Sequence, residues 1–163
     1  MRRFRKPKIE GAIPSGGFFS KGVYQMESKL SKYKDSAVIP LRIVLGVVFI
    51  FHGAQKLFGG LEGFTGLITN LGLPAPSIVA FLVALLEFGG GILILVGLFT
   101  RITSALIAID MLVALFAVHL KNGFSVGKGG YEFVFVLLGI AIALVLTGSG
   151  PFSIGKSLLK KDI

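Results

Sequence analysis

Residues 77–99 read SIVAFLVALLEFGGGILILVGLF, an apolar run of the length that a membrane-spanning helix needs. Its one ionisable side chain, Glu87, lies near the middle. The hydrocarbon core of a bilayer, about 30 Å thick, offers backbone groups no partner except each other, so such a run predicts a helix. The sequence therefore predicts an all-α integral membrane protein with four spans, roughly Val38–Phe58, Ser77–Phe99, Ile102–Leu120 and Tyr131–Leu146.

The overall composition agrees with a membrane protein. Hydrophobic residues make up 53% of the chain and the mean hydropathy is +0.85, which is too apolar for an ordinary soluble domain. The absence of cysteine excludes disulfides, thiolate metal sites, iron–sulfur clusters and thiol nucleophiles on this chain. We find no Walker loop, dinucleotide-binding glycine fingerprint, zinc motif or Ser-His-Asp arrangement, and we expect no metal.

Positive charge is concentrated ahead of the first span. The formal charge is +9, and nine of the seventeen Lys and Arg residues lie within the first 34 positions. A basic arm beside a membrane usually contacts anionic lipid, so we expect lipid rather than nucleic acid as its partner. With the N-terminus inside, fourteen cations fall on the cytoplasmic side and three outside, which predicts cytoplasmic termini and a multi-pass protein of the cell membrane.

These features divide the chain into three parts. Residues 1–36 are expected to form a basic cytoplasmic arm, either disordered or folded as an amphipathic helix. The four-helix membrane domain is expected over residues 37–150, followed by a short basic cytoplasmic tail over residues 151–163.

The connections predict an up-down-up-down four-helix bundle. The second is little more than Thr100 and Arg101, which forces its two helices to be antiparallel neighbours. The first outer connection, Gly59–Pro76, carries apolar residues at helical spacing and predicts a short interfacial helix. With the glycine-rich loop Asn122–Gly130, this helix is expected to cover the outer mouth of the bundle. Small residues predict where helices approach closely: Gly46, Gly53, Gly89, Gly90, Gly91, Gly97, Gly139 and Ala143.

Two acids are expected near the bilayer centre. Glu87 lies about ten residues from one end of its helix and Asp110 lies nine residues from Arg101, so each is about 15 Å deep. An ionisable group at that depth costs about 2.5–3.5 kcal/mol, which makes both acids candidate site residues. Glu87 shares its helix face with small residues and should point into the bundle. Both carboxyl groups must then find a cation or be protonated, unless they form only a structural hydrogen bond.

The first helix supplies candidate cations. His52 and Lys56 are four residues apart and therefore lie on one face. Lys56 is the expected partner of an acid in the outer half of the bundle, although it could also extend to the lipid headgroups. Arg42 lies about 21 Å from Lys56 along the helix, too far to neutralise the same carboxylate. We expect Arg42 to be mainly a cytoplasmic anchor, with a site role as the alternative.

Two further polar residues have competing interpretations. Glu132 begins the fourth span, where a carboxylate also suits the positive end of the helix dipole, so capping competes with a functional role. His119 lies 180° from Asp110 on an ideal helix. These two side chains can face one cavity only if the end of the helix unwinds.

Several motifs extend over about Val38–Ser157: Arg42-Ile-Val-Leu-Gly46, His52-Gly53-Ala-Gln-Lys56, Glu87 with its glycine run, Gly97-Leu-Phe-Thr100-Arg101 and Gly129-Gly130-Tyr-Glu132. Taken together they resemble the DoxX family of small four-span membrane proteins. The resemblance implies redox work at the membrane quinone pool, in thiosulfate or catechol metabolism. It also implies a catalytic set of Glu87, Glu132 and Asp110, and a substrate-binding set of His52, Lys56 and Arg42.

The leading hypothesis is therefore a quinone-linked oxidoreductase subunit. His52 and Lys56 would bind an anionic or quinoid head group, and Glu87 and Glu132 would relay protons. Electrons would come from a substrate or from a soluble or membrane redox subunit, and the chain could form a homo-oligomer. The family has an acid after the Ser that follows the last span, whereas Ser153 precedes Ile154 here, so no role is carried over for that acid.

Two other functions compete with this hypothesis. The chain could be a non-enzymatic membrane subunit that anchors a soluble partner through its basic arm. It could also be a small proton-coupled transporter, which is less favoured because four spans show no inverted repeat.

Overall fold

The computed structural model describes residues 17–159, and within that range the chain is helical with no strand. This confirms the predicted all-α class. The described residues up to Lys34 form a unit by themselves that contains helix α1, Gly17–Leu30. The arm is thus helical over this stretch, whereas its first sixteen residues and the tail residues 160–163 lie outside the described residues.

The second unit, from Asp35 onward, is a bundle of helices joined by short connections. Its α-helices are α2 (Val38–Gln55), α3 (Leu61–Asn70), α4 (Pro76–Val96), α5 (Thr100–Val113), α6 (Glu132–Thr147) and α7 (Ile154–Leu159). Two π-helical segments continue α2 and α5 without a break: Lys56–Gly60 and Ala114–His119. Tighter 3-10 turns occupy Ser31–Ala37, Leu120–Asn122 and Val126–Lys128. The helix predicted in the first outer connection is present as α3.

Three helical stretches of the described chain are long and apolar enough to cross a membrane: Gln25–Asn70, Pro76–Val96 and Thr100–Asn122. The first of them is a continuous run that includes α2, the π-helical segment after it and α3. Helix α6 is as apolar but has only 16 residues, which is shorter than the usual span.

Helices α2 and α4 pack with their backbones in contact, and glycines make this possible. A Cβ atom on Gly46 would lie 2.9 Å from the carbonyl oxygen of Gly91, and one on Gly91 would lie 2.7 Å from the backbone nitrogen of Ile50. A Cβ atom on Gly53 would lie 2.6 Å from the Cα atom of Phe88. Since real Cβ atoms do not approach this closely, only glycine fits at these positions, as the sequence predicts.

The same interpretation is wrong for two other glycines. A Cβ atom on Gly89 or Gly139 would meet nothing within 4 Å. Gly89 precedes Gly90 by one residue and is therefore turned about 100° away from the face that packs. The sequence shows where glycines are clustered, but the direction in which each one points around the helix decides whether it lies at a contact.

Helix α4 touches α5 close to the turn that joins them. A Cβ atom on Gly90 would lie 3.0 Å from Cγ2 of Thr103 and 3.4 Å from Cδ1 of Ile107. The turn itself needs a glycine, because Gly97 has φ +73° and a Cβ atom there would collide with Cβ of Ser153 at 2.6 Å. The two helices are thus held together at one end.

Arg42 ties that end of the bundle together. Its side chain is buried, and it donates four hydrogen bonds to backbone carbonyls: from Nε to Ile94 (3.0 Å), from Nη2 to Leu95 (2.9 Å), and from Nη1 to Ser149 (2.8 Å) and Phe152 (2.6 Å). The last carbonyls of a helix have no partner within the helix, so Arg42 satisfies the end of α4 and fixes the chain that follows α6. We refer to this end of the bundle, where α2 begins and α4 and α6 finish, as the Arg42 end.

We expect Arg42→Lys to destabilise the protein by about 2 kcal/mol although the charge is kept. An ammonium group cannot reproduce the planar fork of the guanidinium, so buried carbonyls lose their donors. Thermal unfolding in detergent would measure the loss. Arg101→Lys is the matched control, because Arg101 uses only Nη1, which donates to the Val145 and Leu146 carbonyls at 2.6 and 2.9 Å. An equal loss in the two variants would contradict this role of Arg42.

Candidate functional site

A cavity of about 650 Å³ lies among helices α2, α3, α4, α5 and α6, at the end of the bundle opposite Arg42. We call this the cavity end. Most of the wall is aliphatic or aromatic, and α3 contributes Phe64, Leu67, Ile68 and Leu71. These four residues come from the helical pattern predicted in the first outer connection. The polar side chains on the wall are few and converge from different helices: His52, Lys56, Glu87, Asp110 and His119.

A buried ion pair forms the centre of this polar group. The Lys56 Nζ atom donates to both carboxylate oxygens of Glu87, each at 2.6 Å. The Glu87 side chain is only 4% exposed and that of Lys56 is 24% exposed. Nζ also lies 4.3 Å from the centroid of the Phe64 ring, a favourable position for a cation. The predictions that Glu87 points into the bundle and that Lys56 pairs with an acid are confirmed.

Two structural features bring Lys56 to Glu87. The close approach of α2 and α4 at Gly53, one turn before Lys56, places the two backbones in contact beside Phe88. The chain then enters the π-helical segment Lys56–Gly60, and such segments are frequent at functional sites. Lys56 therefore reaches an acid near the middle of α4 although it lies at the end of α2.

Asp110 adds a second carboxyl group to the pair. It is half-buried, lies within interaction range of both Glu87 and Lys56, and its Oδ2 atom is buried without a hydrogen-bond partner among residues 17–159. The Lys56 ammonium group therefore donates to Glu87 and lies near enough to Asp110 for electrostatic interaction. In a site of low dielectric, this arrangement favours uptake of a proton or of a ligand that carries hydrogen-bond donors.

His119 lines the same cavity as Asp110, and the π-helical segment explains how. Each turn of the Ala114–His119 segment takes in one residue more than an α-turn, so the side chains after Asp110 are rotated from their ideal positions. From the sequence, both side chains could face one cavity only if the end of the helix unwound; the segment instead stays helical and changes to π geometry. His119 Nδ1 donates to the carbonyl of Gly129 at 2.8 Å, and Asn122 donates to the same oxygen at 3.1 Å.

His52 stands at the edge of the site. It lines the cavity, is exposed, and its ring centroid lies 6.0 Å from that of Phe133 on α6. Phe64 and Phe133 belong to the site but were not singled out from the sequence for this role. An aromatic residue in an apolar span carries no signal that separates a site wall from the core.

Two predicted site residues lie elsewhere. Arg42 is at the opposite end of the bundle, where its guanidinium is engaged by four carbonyls. Glu132 is not among the residues that line the cavity; its Oε1 atom accepts a hydrogen bond from the backbone nitrogen of Val126 at 2.7 Å. The structure thus brings together His52, Lys56, Glu87 and Asp110 of the six predicted residues, while Glu132 anchors the loop before α6.

The comparison with protein families decides the assignment. The family model described as DoxX matches residues 37–120, more than half of the chain. The chain belongs to the DoxX family. The matched range includes Lys56, Glu87, Asp110 and His119. The ionisable side chains of the cavity wall therefore lie within the part of the chain that the DoxX family model matches.

Relatives of this DoxX protein include proteins named as membrane proteins and a protein named as an oxidoreductase. It is 38% identical over 120 residues to "Putative oxidoreductase CatD" of Bacillus subtilis, covering 74% of this chain and 85% of that protein. It is 33% identical over 135 residues to inner membrane protein YqjF of Escherichia coli, covering 81% of this chain and 99% of that protein. An uncharacterized membrane protein of Mycobacterium tuberculosis is 30% identical over 136 residues, covering 77% of this chain and 83% of that protein. No solved structure matches the chain.

Proposed function

We propose that this DoxX protein binds a quinone in the cavity and is a subunit of a quinone-linked oxidoreductase. The observation that carries the proposal is the Lys56, Glu87 and Asp110 group, which lies inside an apolar cavity of a membrane protein. Ionisable residues kept within hydrocarbon are costly and are usually functional. The name of the B. subtilis relative, which includes the word oxidoreductase, gives independent support for redox chemistry.

The wall of the cavity fits a quinone head group. Its volume of about 650 Å³ lies within the usual range for small-molecule sites, and such sites combine an apolar wall with a few placed polar groups. A quinone likewise combines an apolar part with polar groups, because its ring is apolar and its two carbonyl oxygens accept hydrogen bonds. Phe49, Phe64 and Phe133 offer aromatic surface, and the Lys56 ammonium group offers donors.

A bound quinone would supply a two-electron acceptor that takes up two protons. We assign proton delivery to Asp110 and Glu87, since these carboxyl groups lie in the cavity and share a single cation. Lys56 orients the head group and offsets negative charge that develops on its oxygens. His52 and His119 line the cavity and can exchange protons between this group and the cavity end.

The electrons must come from a separate donor. The chain has no cysteine that could hold an iron–sulfur cluster or cycle as a dithiol. We assign the donor to thiosulfate, to a catechol or to a partner redox subunit. Oxidation of the donor releases two electrons, which balance the two-electron reduction of the quinone.

We further propose that α2, α4, α5 and α6 all cross the cell membrane, with the Arg42 end in the cytoplasm. Helix α6 has 16 residues and is about 24 Å long, which spans most of a core of about 30 Å. Arg42 and Arg101 both lie at this end, in keeping with the fourteen-to-three distribution of cations. Helix α3 would then lie at the outer surface above the cavity.

Quinone reduction tests the proposed function. Membranes containing wild-type protein, Glu87→Gln or Asp110→Asn would be given a quinone with thiosulfate or a catechol as donor. We expect each variant to lose at least tenfold in rate, because an amide cannot deliver a proton; general acid catalysis typically contributes about 10²–10⁴-fold. Glu62→Gln is the control, since this exposed acid lies in α3 and does not line the cavity.

The amount of folded protein must be measured in parallel by gel filtration in detergent. Rates that fall in the two cavity variants at equal protein amounts support the proposal. Wild-type rates in both cavity variants would contradict it. Absence of turnover with every donor, together with a soluble protein that copurifies, would favour the non-enzymatic membrane subunit instead.

A further inference from the structure

One wall of the cavity is formed by aliphatic residues with large exposed areas. Leu106, Ile109 and Val113 line the cavity, yet they are 46%, 58% and 49% exposed. Their spacing of three and four residues places them on one stripe of α5. We interpret this exposed aliphatic stripe on the cavity wall as one edge of an opening.

Helix α4 provides the opposite edge. Val79, Val83 and Leu86 also line the cavity, follow the same helical spacing and are half-buried. Because α4 and α5 are joined by a tight turn and run antiparallel, the two stripes lie along facing sides of one gap. All six residues are aliphatic, so the edges of the gap are apolar.

The two helices are in contact nearer the turn that joins them, and they line the cavity farther from it. Near the turn they touch where Gly90 meets Thr103 and Ile107. Towards the cavity end they are separated by the cavity that both helices line. The aliphatic stripes of α4 and α5 therefore border the cavity over the part of the helix pair that is farther from the turn.

The depth of the gap identifies what it faces. Ile109 lies nine residues beyond Thr100, about 14 Å along α5 and near the middle of a bilayer core of about 30 Å. Val113 lies about 6 Å farther towards the cavity end. The opening is thus at the level of the lipid acyl chains, beside the carboxyl group of Asp110.

The cavity end is covered in part by α3 and by the loop after α5. Helix α3 contributes four residues to the cavity wall, and the loop after α5 is fixed by the bonds of His119 and Asn122 to Gly129. Gly130 and Tyr131 donate backbone hydrogen bonds to Ser125 and Gly123, at 2.9 and 3.0 Å, which close the same loop. The α4–α5 side is the one whose cavity-lining residues are aliphatic on both helices, which suits a molecule dissolved in the lipid.

We propose that the α4–α5 gap is a lateral entrance from the bilayer, and that the ligand is a quinone whose isoprenoid tail leaves the cavity through it. This inference rests on the proposed function and specifies the substrate as a membrane-dissolved, long-tailed quinone. The head group lies beside Lys56, Glu87 and Asp110, and the tail passes between the stripes of α4 and α5 into lipid. An aliphatic gap suits a hydrocarbon tail, because no polar group of the gap loses a partner.

The test uses two quinones with the same ring, one with a long isoprenoid tail and one with a short alkyl tail. Binding to protein in lipid nanodiscs is measured by calorimetry for wild type and for Ile109→Trp, whose indole would fill the gap. We expect the Kd for the long-tailed compound to rise at least tenfold and the Kd for the short-tailed compound to change less than twofold. Ile142→Trp is the control, since Ile142 is equally a lipid-facing isoleucine but lies on α6 outside the cavity.

The other outcomes separate the two proposals. If Ile109→Trp weakens binding of both quinones equally, or of neither, the lateral entrance is overturned while the proposed function stands. If wild type binds neither quinone, the proposed function fails and the entrance fails with it. Val113→Trp, farther along the same stripe, serves as a second blocking variant if Ile109→Trp does not fold.

Discussion

Lys56→Met is expected to destabilise the bundle by about 3–5 kcal/mol and to lower quinone reduction more than a hundredfold. Removal of one partner of a buried pair leaves the other charge uncompensated, which is the costly outcome for an ion pair in a low-dielectric interior. The full cost of an unpaired buried charge applies here, because Glu87 is 4% exposed and the second nearby carboxyl group, Asp110, also interacts with the ammonium group. Unfolding in mixed detergent micelles would measure the stability.

The partner variant should behave differently, and this asymmetry tests the three-charge arrangement. Glu87→Gln leaves Lys56 beside Asp110, so the ammonium group keeps a counter-charge and the stability should fall by only about 1 kcal/mol. The double variant with Lys56→Met and Glu87→Gln should regain part of the stability that Lys56→Met loses. It should regain none of the lost activity. Equal losses for the two single variants would show that Asp110 does not share the cation.

Gly53→Ala is expected to cost about 3 kcal/mol, a large effect for a single methyl group. The added Cβ atom would lie 2.6 Å from the Cα atom and 2.8 Å from the Cβ atom of Phe88, so the backbones of α2 and α4 would have to separate. Lys56 follows Gly53 by three residues and would move away from Glu87. We therefore expect quinone binding to weaken together with stability.

Gly89→Ala is the matched control for this prediction. It lies on the same pair of helices, but an added Cβ atom would meet nothing within 4 Å. Since alanine is favoured over glycine inside a helix by about 0.5–1 kcal/mol, this variant should be neutral or slightly more stable. Thermal unfolding of both variants in one detergent provides the comparison. A loss in Gly89→Ala as large as that in Gly53→Ala would show that the cost does not arise from the α2–α4 contact.

The sequence predicted the part of the site that regular helices determine. The inward face of Glu87 follows from an uninterrupted helical phase over Pro76–Val96, and it is correct because α4 keeps that phase. The pairing of Lys56 with an acid follows from the cost of leaving either charge alone in hydrocarbon. Periodicity and charge compensation are local or general rules, so they can be applied without coordinates.

Other parts depend on features that no single-sequence rule supplies. The cavity position of His119 depends on the π-helical segment Ala114–His119, whose residues give no sign of departing from α geometry. The partners of Arg42 include Ser149 and Phe152, more than a hundred positions away along the chain. Such contacts follow from the tertiary arrangement, which brings distant backbone carbonyls to one guanidinium group.

The three charges at the cavity come from three separate helices: Lys56 follows α2, Glu87 is on α4 and Asp110 is on α5. During biosynthesis the span that ends with Lys56 therefore reaches the translocon before either carboxyl group has been made. Glu87 can pair once the span that ends with Lys56 is beside it, whereas Asp110 finds that pair already formed. We infer that α2 and α4 associate before release into lipid, and that their glycine contact makes this early association possible.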